Sequence, residues 1–166
     1  MLELEGPPPR KVVFEVWGKP QPAGSKRAFP VRRKAGGGWV LTGKVAVTDD
    51  NPKAKDWQSE VATCAYAAML RAFGPEPEPL AGALGLAIVF RLRRPKGHFG
   101  TGRNAGTVKR SAPALPVVKP DCTKLLRAVE DACTGVVWND DAQIVDQAVT
   151  KVYAMREGAR MVVWEL

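Results

Sequence analysis

The sequence contains one histidine, His98, and this scarcity excludes several chemistries. Zinc sites built on paired imidazoles and nucleases that use two histidines cannot be assembled from it. His98 lies in a basic, glycine-rich stretch and is expected to be exposed, so a Ser-His-Asp triad lacks its base. Any general base must be a carboxylate, a lysine or a metal-bound water. Cysteine is also scarce: Cys64, Cys122 and Cys133 form neither a C-x-x-C pair nor an even framework, and they read as reduced thiols of a cytoplasmic protein. No run approaches the roughly 18 apolar residues that a membrane helix needs. The opening MLELEGPPPRK lacks the basic and apolar regions of a signal peptide. Internal repeats and long low-complexity tracts are absent.

What remains is a chain of 166 residues, 45% apolar and 25% charged, which reads as one domain over 1–166 with residues 1–10 flexible. Its net charge of +8 is unevenly spread. Acidic residues are missing from 19–34, which holds Lys19, Lys26, Arg27, Arg32, Arg33 and Lys34. They are missing again from 91–119, which holds Arg91, Arg93, Arg94, Lys96, Arg103, Lys109, Arg110 and Lys119. Acids gather instead at 49–60 and 121–146. Acid-free basic loops beside an acidic block suggest a phosphate-binding surface next to a site of opposite sign. Basic loops can also be merely solvated.

Residues 11–17 (KVVFEVW) alternate as a strand, and the Gly/Pro-rich basic stretch 19–50, with β-like runs at 26–31 and 39–48, predicts a protruding loop or ribbon. A helix follows, with Asp50 or Asn51 as its cap, Pro52 in its first turn and Trp57, Val61, Cys64, Ala65, Ala68, Met69 and Ala72 at helical spacing. The nearly continuous apolar run 82–92 predicts a central strand. The basic loop 93–119 is long for a compact domain. A second helix is expected over 121–133, then a short strand at Val136–Trp138, a turn at Asn139–Asp141, a strand over 143–154 and a last strand over 159–165. This order predicts an α+β fold: a small mixed sheet with two main helices packed on one side.

Gly38 to Lys44 imitates a phosphate-binding loop, but Val45 stands where the metal-holding hydroxyl belongs, so a nucleotide site is not expected. The informative set is Asp121, Glu130, Asp131, Asp140, Asp141 and Asp146. Carboxylates without histidines select hard cations, Mg²⁺ or Mn²⁺, and such a cation can activate water for phosphodiester hydrolysis. A purely structural use competes, with Asp121 as a helix cap and Asp140-Asp141 as a turn.

The order of these residues is more specific than their number. Lys119-Pro120-Asp121-Cys122-Thr123-Lys124-Leu125-Leu126-Arg127, then Glu130-Asp131-Ala132, then Thr134-Gly135-Val136-Val137-Trp138 and Asp140-Asp141-Ala142-Gln143-Ile144-Val145 closely resemble the RusA family of Holliday junction resolvases. Gly18-Lys19-Pro20-Gln21-Pro22 resembles phage-type members, whereas 35–110 agrees only in layout. The resemblance implies a homodimer that binds four-way DNA junctions in recombination and repair and cuts two opposed strands symmetrically with Mg²⁺. It implies Asp121 and Asp141 as metal-binding catalytic carboxylates with Asp140 beside them. It further implies Arg127, here Arg rather than Lys, as a basic residue meeting phosphate. Asp131 matches a frequent family Asp, and an i,i+4 pair with Arg127 is geometrically allowed.

One position departs from the pattern: Thr123 stands where the family has a second Asp. Glu130 lies two turns further along the same helix face, roughly 10 Å away, and its side chain leans back toward the helix start. It is therefore expected to supply the missing carboxylate. Lys19, Lys26, Arg27, Arg32, Arg33, Arg93, Arg94, Lys96, Arg103, Lys109, Arg110, Lys119 and Lys124 are expected to meet DNA phosphates. The competing readings are a branched-DNA-binding protein silenced by Thr123 and a general single-strand binder using some of the five tryptophans.

Overall fold

The computed structural model describes residues 8–24, 26–49 and 51–166, without the side chains of residues 26, 27 and 47–49. Its elements are β1 (Lys11–Trp17), β2 (Lys26–Ala35), β3 (Gly38–Asp49), α1 (Lys53–Phe73), β4 (Leu84–Arg93), α2 (Cys122–Cys133), β5 (Ile144–Ala154) and β6 (Gly158–Glu165), with short 3-10 turns at Lys96–His98, Gly102–Asn104 and Asp141–Gln143. No helix is long and apolar enough to cross a membrane among the described residues.

Period-two alternation in β1 buries Val12, Phe14 and Val16 and exposes their neighbours. β1 pairs antiparallel with β6, β6 antiparallel with β4, and β4 parallel with β5, giving the order β1-β6-β4-β5. β4 is interior, as its apolar run predicts. The inner face of the sheet (Leu86, Ile88 and Phe90 of β4 with Met161 and Val163 of β6) meets Trp57, Val61, Ala65 and Met69 of α1 and Leu125, Ala128 and Val129 of α2 in one hydrophobic cluster. Burying such side chains contributes about 1.5–3 kcal/mol each. The Trp164 ring of β6 lies across Gly85 of β4 because Gly85 has no side chain: a Cβ there would collide with that ring.

The expected elements form, with local differences. Val136–Trp138 is not a strand. It is a turn closed by isolated bridges from Trp138 to Leu80 and to Thr134, with Gly135 at φ +79°. Trp138 is wholly buried there and its indole N–H donates to Thr134 Oγ1 at 3.2 Å, so burial of the ring governs the segment. Asn51 does not cap α1: its side-chain amide donates to the Pro22 carbonyl at 2.9 Å, tying the start of α1 to the segment after β1. Asp50 lies outside the described residues, as does most of the expected flexible stretch 1–10. Arg10 is held, however, with its backbone N–H on Glu165 Oε2 at 3.0 Å and its guanidinium over Phe73. The cysteines are free thiols.

β2 and β3 form a separate two-stranded ribbon. Its turn, Ala35-Gly36-Gly37-Gly38, has positive φ at both central residues, the tight hairpin geometry that glycine permits. The Gly38–Lys44 segment lies within this ribbon, which rules out a strand–loop–helix phosphate cradle.

Candidate functional site

α2, the turn before β5, and β5 itself position the acidic residues. Asp121 stands at the N-cap of α2, exposed, with no side-chain capping bond. Its backbone is fixed from below: Lys151 of β5 donates from Nζ to the Val118 carbonyl at 3.0 Å and the Pro120 carbonyl at 2.8 Å. Sequence reasoning gave Lys151 no role, because nothing local to it signals a contact 31 residues away in the chain.

The turn at 140–143 is a capping box. Asp140 Oδ1 accepts from the Ala142 N–H at 2.8 Å, and Gln143 Oε1 accepts from the N–H groups of Asn139 at 2.9 Å and Asp140 at 3.1 Å. Gln143 Nε2 donates to the carbonyls of Leu80 at 3.1 Å and Gly82 at 3.2 Å, fastening the turn to the segment that enters β4. Asp140 therefore spends an oxygen on turn structure. Asp141 is exposed and its carboxylate makes no hydrogen bond among the described residues. The Asp-x-x-Gln spacing was the legible signal for Gln143, which had been quoted as motif but given no task.

Glu130 is the most perturbed acid of the set. It is half-buried on α2, and its Oε1 accepts from Gln147 Nε2 of β5 at 2.7 Å. Burial, and then the negative charges of Asp141 and Asp131, push its carboxyl above the usual glutamate range, against the lowering effects of Gln147 and Arg127. The charges of Asp141 and of Arg127 thus both reach Glu130. Thr123, Arg127 and Glu130 follow one another at i, i+4 and i+7 on the solvent-facing stripe of α2. Arg127 and Asp131 do not form the allowed ion pair among the described residues; Asp131 accepts a long 3.4 Å bond from Gln58 instead.

The structure does not gather Asp121, Asp140, Asp141, Glu130 and Asp146 into one cage. Among the described residues no group of three or more histidine, cysteine or acidic side chains could hold a metal ion. The donor chemistry nonetheless fits a hard cation: the oxygens of Glu130 and Asp141 share one negative field, and burial disfavours charge on Glu130 without a counter-ion. Mg²⁺ keeps several waters and commonly takes only one or two carboxylates, with substrate phosphate completing its shell.

Next to Asp121 the surface opens into two adjoining basic clefts. One, of about 610 Å³, is lined by Lys19, Arg93, Arg94, Lys96 and Lys119 together with Tyr153 and Glu157. The other, of about 340 Å³, runs past Lys19, Lys119 and Lys124 to Asp121 itself. The strand ends and loops thus bring together cations from three separate stretches of sequence. Arg94 serves structure here: it lies 4.1 Å over the Tyr153 ring and donates to the Pro113 carbonyl at 2.8 Å, pinning the long loop. Lys109 likewise donates to the Gly97 carbonyl at 2.9 Å. His98 is partly covered rather than exposed, edge-on to Tyr153 with ring centroids 5.6 Å apart. Arg103 and Arg110 are exposed on the same loop, and Arg32 and Arg33 are exposed on the ribbon, away from the clefts. The side chains of Lys26 and Arg27 lie outside the described residues.

A mixed sheet backed by two helices, with open-facing carboxylates beside a cationic cleft, defines a class of protein suited to a polyanionic backbone. The family model described as Endodeoxyribonuclease RusA matches residues 21–163, from just after β1 into β6, and the chain belongs to that family. This places it among endodeoxyribonucleases, hydrolases of the DNA backbone. No curated protein matches the chain.

Proposed function

We propose that the protein is a Mg²⁺-dependent, structure-specific endonuclease that resolves four-way DNA junctions by paired symmetric cuts. Mn²⁺ would substitute for Mg²⁺. The observation that carries this reading is an exposed, uncapped Asp121 at the start of α2 lining one of two adjoining, strongly basic clefts, with the field of Asp141 reaching the half-buried Glu130 of the same helix. Family membership supports DNA as the substrate.

In this reading Asp121, Asp141 and Glu130 are the catalytic carboxylates that hold the cation, and Asp140 adds to their field while fixing the turn. When bound, the cation neutralises charge at the scissile phosphate and acidifies the attacking water. Gln147 orients Glu130 through its 2.7 Å bond, Gln143 sets the position of Asp141, and Lys151 holds the backbone ahead of Asp121. Arg127, on the same stripe as Glu130, meets a phosphate oxygen. Lys19, Arg93, Lys96, Lys119 and Lys124 draw the backbone along the clefts toward Asp121, a sequence-independent and salt-sensitive grip. Two symmetric cuts need two sites, so the protein acts as a homodimer.

Thr123 is neutral, and Glu130 takes over the charge that the family's Asp supplies there. A second reading, a branched-DNA-binding protein of the same fold that no longer cuts, has one observation in its favour: among the described residues no three-carboxylate cage is assembled. Both readings give salt-sensitive junction binding. Turnover separates them: a mobile four-way junction incubated with protein and Mg²⁺ is cut in the first reading and stays intact in the second.

A further inference from the structure

The β2–β3 ribbon is the part of the molecule that the body of the fold explains least. Its strands pack chiefly on each other, with no substantial packing on any other helix or strand. A two-stranded hairpin alone is marginal in water, yet this one exposes apolar side chains: Trp39 is 64% exposed, Leu41 59% and Val45 65%. Of the other four tryptophans, Trp57 and Trp138 are buried in the core, Trp164 is half-buried with its ring against Gly85, and Trp17 is covered by the guanidinium groups of Arg91 and Arg156. Trp39 alone is presented this way at the end of a projection.

The register decides what surrounds it. Lys34 pairs with Trp39 and Arg32 with Leu41, so these four side chains share one face near the tip, and Arg33 opposite Val40 lies on the other. The Lys34 ammonium is 5.7 Å from the centre of the Trp39 ring. No acidic residue occurs between Lys19 and Thr48. Phosphate attraction would need only the cations. A broad aromatic face bracketed by cations on a ribbon roughly 30 Å long matches a nucleotide: ring on ring, with phosphates on either side.

We propose that Trp39 is a stacking platform for an unpaired base, with Arg32 and Lys34 of the same face holding the flanking phosphates, so that the ribbon engages the unstacked nucleotides of branched or flapped DNA. A continuous duplex offers no free base face to Trp39, which sets this site apart from the phosphate clefts beside Asp121. The proposal rests on the DNA-binding reading given above.

The test uses the full-length protein in EDTA, which prevents cleavage, with two fluorescent DNAs of equal length: a duplex, and a fork with unpaired arms. Wild type, Trp39→Ala, Trp39→Phe and Arg32→Ala are titrated over a range of salt. The expected result is roughly tenfold weaker fork binding for Trp39→Ala. Its duplex binding and salt slope are expected to be unchanged, and Trp39→Phe to recover most of the loss. Arg32→Ala is expected to lower the salt slope by about one on the fork. Equal effects of Trp39→Ala on fork and duplex, or none on either, overturn the proposal while leaving DNA binding intact. Loss of a dimer on gel filtration in Trp39→Ala, with fork affinity unchanged, assigns the ribbon to contact between copies and also overturns it. Failure of wild type to bind either DNA defeats the DNA reading itself.

Discussion

Gln143 offers a direct check on how the turn before β5 is built. Its amide satisfies two N–H groups, of Asn139 and Asp140, and two carbonyls, of Leu80 and Gly82. Gln143→Ala removes all of these at once. Four bonds at about 0.5–1.5 kcal/mol net each give roughly 2–6 kcal/mol, and because three of them are exposed the lower half of that range applies, roughly 2–4 kcal/mol. For a chain of this length that lowers Tm by roughly 5–12 °C. Gln143→Glu is the sharper variant: it keeps an acceptor for the N–H pair, loses both donations, and sets an anion against two carbonyl oxygens beside Asp140 and Asp141. Its Tm should fall by a similar amount at neutral pH and recover in part as the new carboxyl is protonated. Calorimetry on the three proteins, with urea m-values to confirm a common unfolding transition, makes the measurement. A Gln143→Ala protein melting within a degree of wild type would refute the reasoning.

Other predictions concern the carboxylates and their supports. Because burial and neighbouring acids raise the Glu130 carboxyl, its contribution to stability is present below the ordinary glutamate range and is lost as pH rises through the raised value. Glu130→Gln should therefore stabilise the metal-free protein at neutral pH, by a fraction of about 1 kcal/mol given its partial exposure, while removing the thermal shift that Mg²⁺ gives wild type; calorimetry with and without Mg²⁺ reads both. If Mg²⁺ stands at ten times its Kd, that wild-type shift corresponds to about 1.4 kcal/mol. Lys151→Met deletes the two bonds to the 118–120 segment and should cut junction cleavage at least tenfold while lowering stability by no more than about 2 kcal/mol, checked by initial rates beside urea unfolding. Thr123→Asp should restore cleavage to Glu130→Gln and add little to wild type, a coupling that a double-mutant cycle measures.

Much of the architecture is legible in the sequence because burial follows simple periods. KVVFEVW alternates and so do its buried and exposed positions; the Trp57–Met69 spacing marks the buried face of α1; and the nearly continuous apolar run 82–92 holds an interior strand. The ribbon was legible from its glycines and basic residues. What escaped depends on contacts distant in sequence. Trp138 is drawn into the core and makes a turn of residues with strand propensity. Asn51 turns away from its helix to meet Pro22, and Arg94 reaches 19 residues along the chain to the Pro113 carbonyl. At the site, the ordered motif located the carboxylates, but the difference between Asp140, used within its own turn, and Asp141, left open, came only with the hydrogen bonds. Lys151 carries no local signature at all.

The most direct test of the central claim is cleavage of a mobile four-way junction by the purified protein, with Mg²⁺ and with EDTA, beside Asp121→Asn and Glu130→Gln. The account predicts paired symmetric nicks that require Mg²⁺, vanish in Asp121→Asn and fall at least a hundredfold, about 2.7 kcal/mol of barrier, in Glu130→Gln. Tight junction binding without nicks in either Mg²⁺ or Mn²⁺ would contradict it, as would full cleavage by Glu130→Gln.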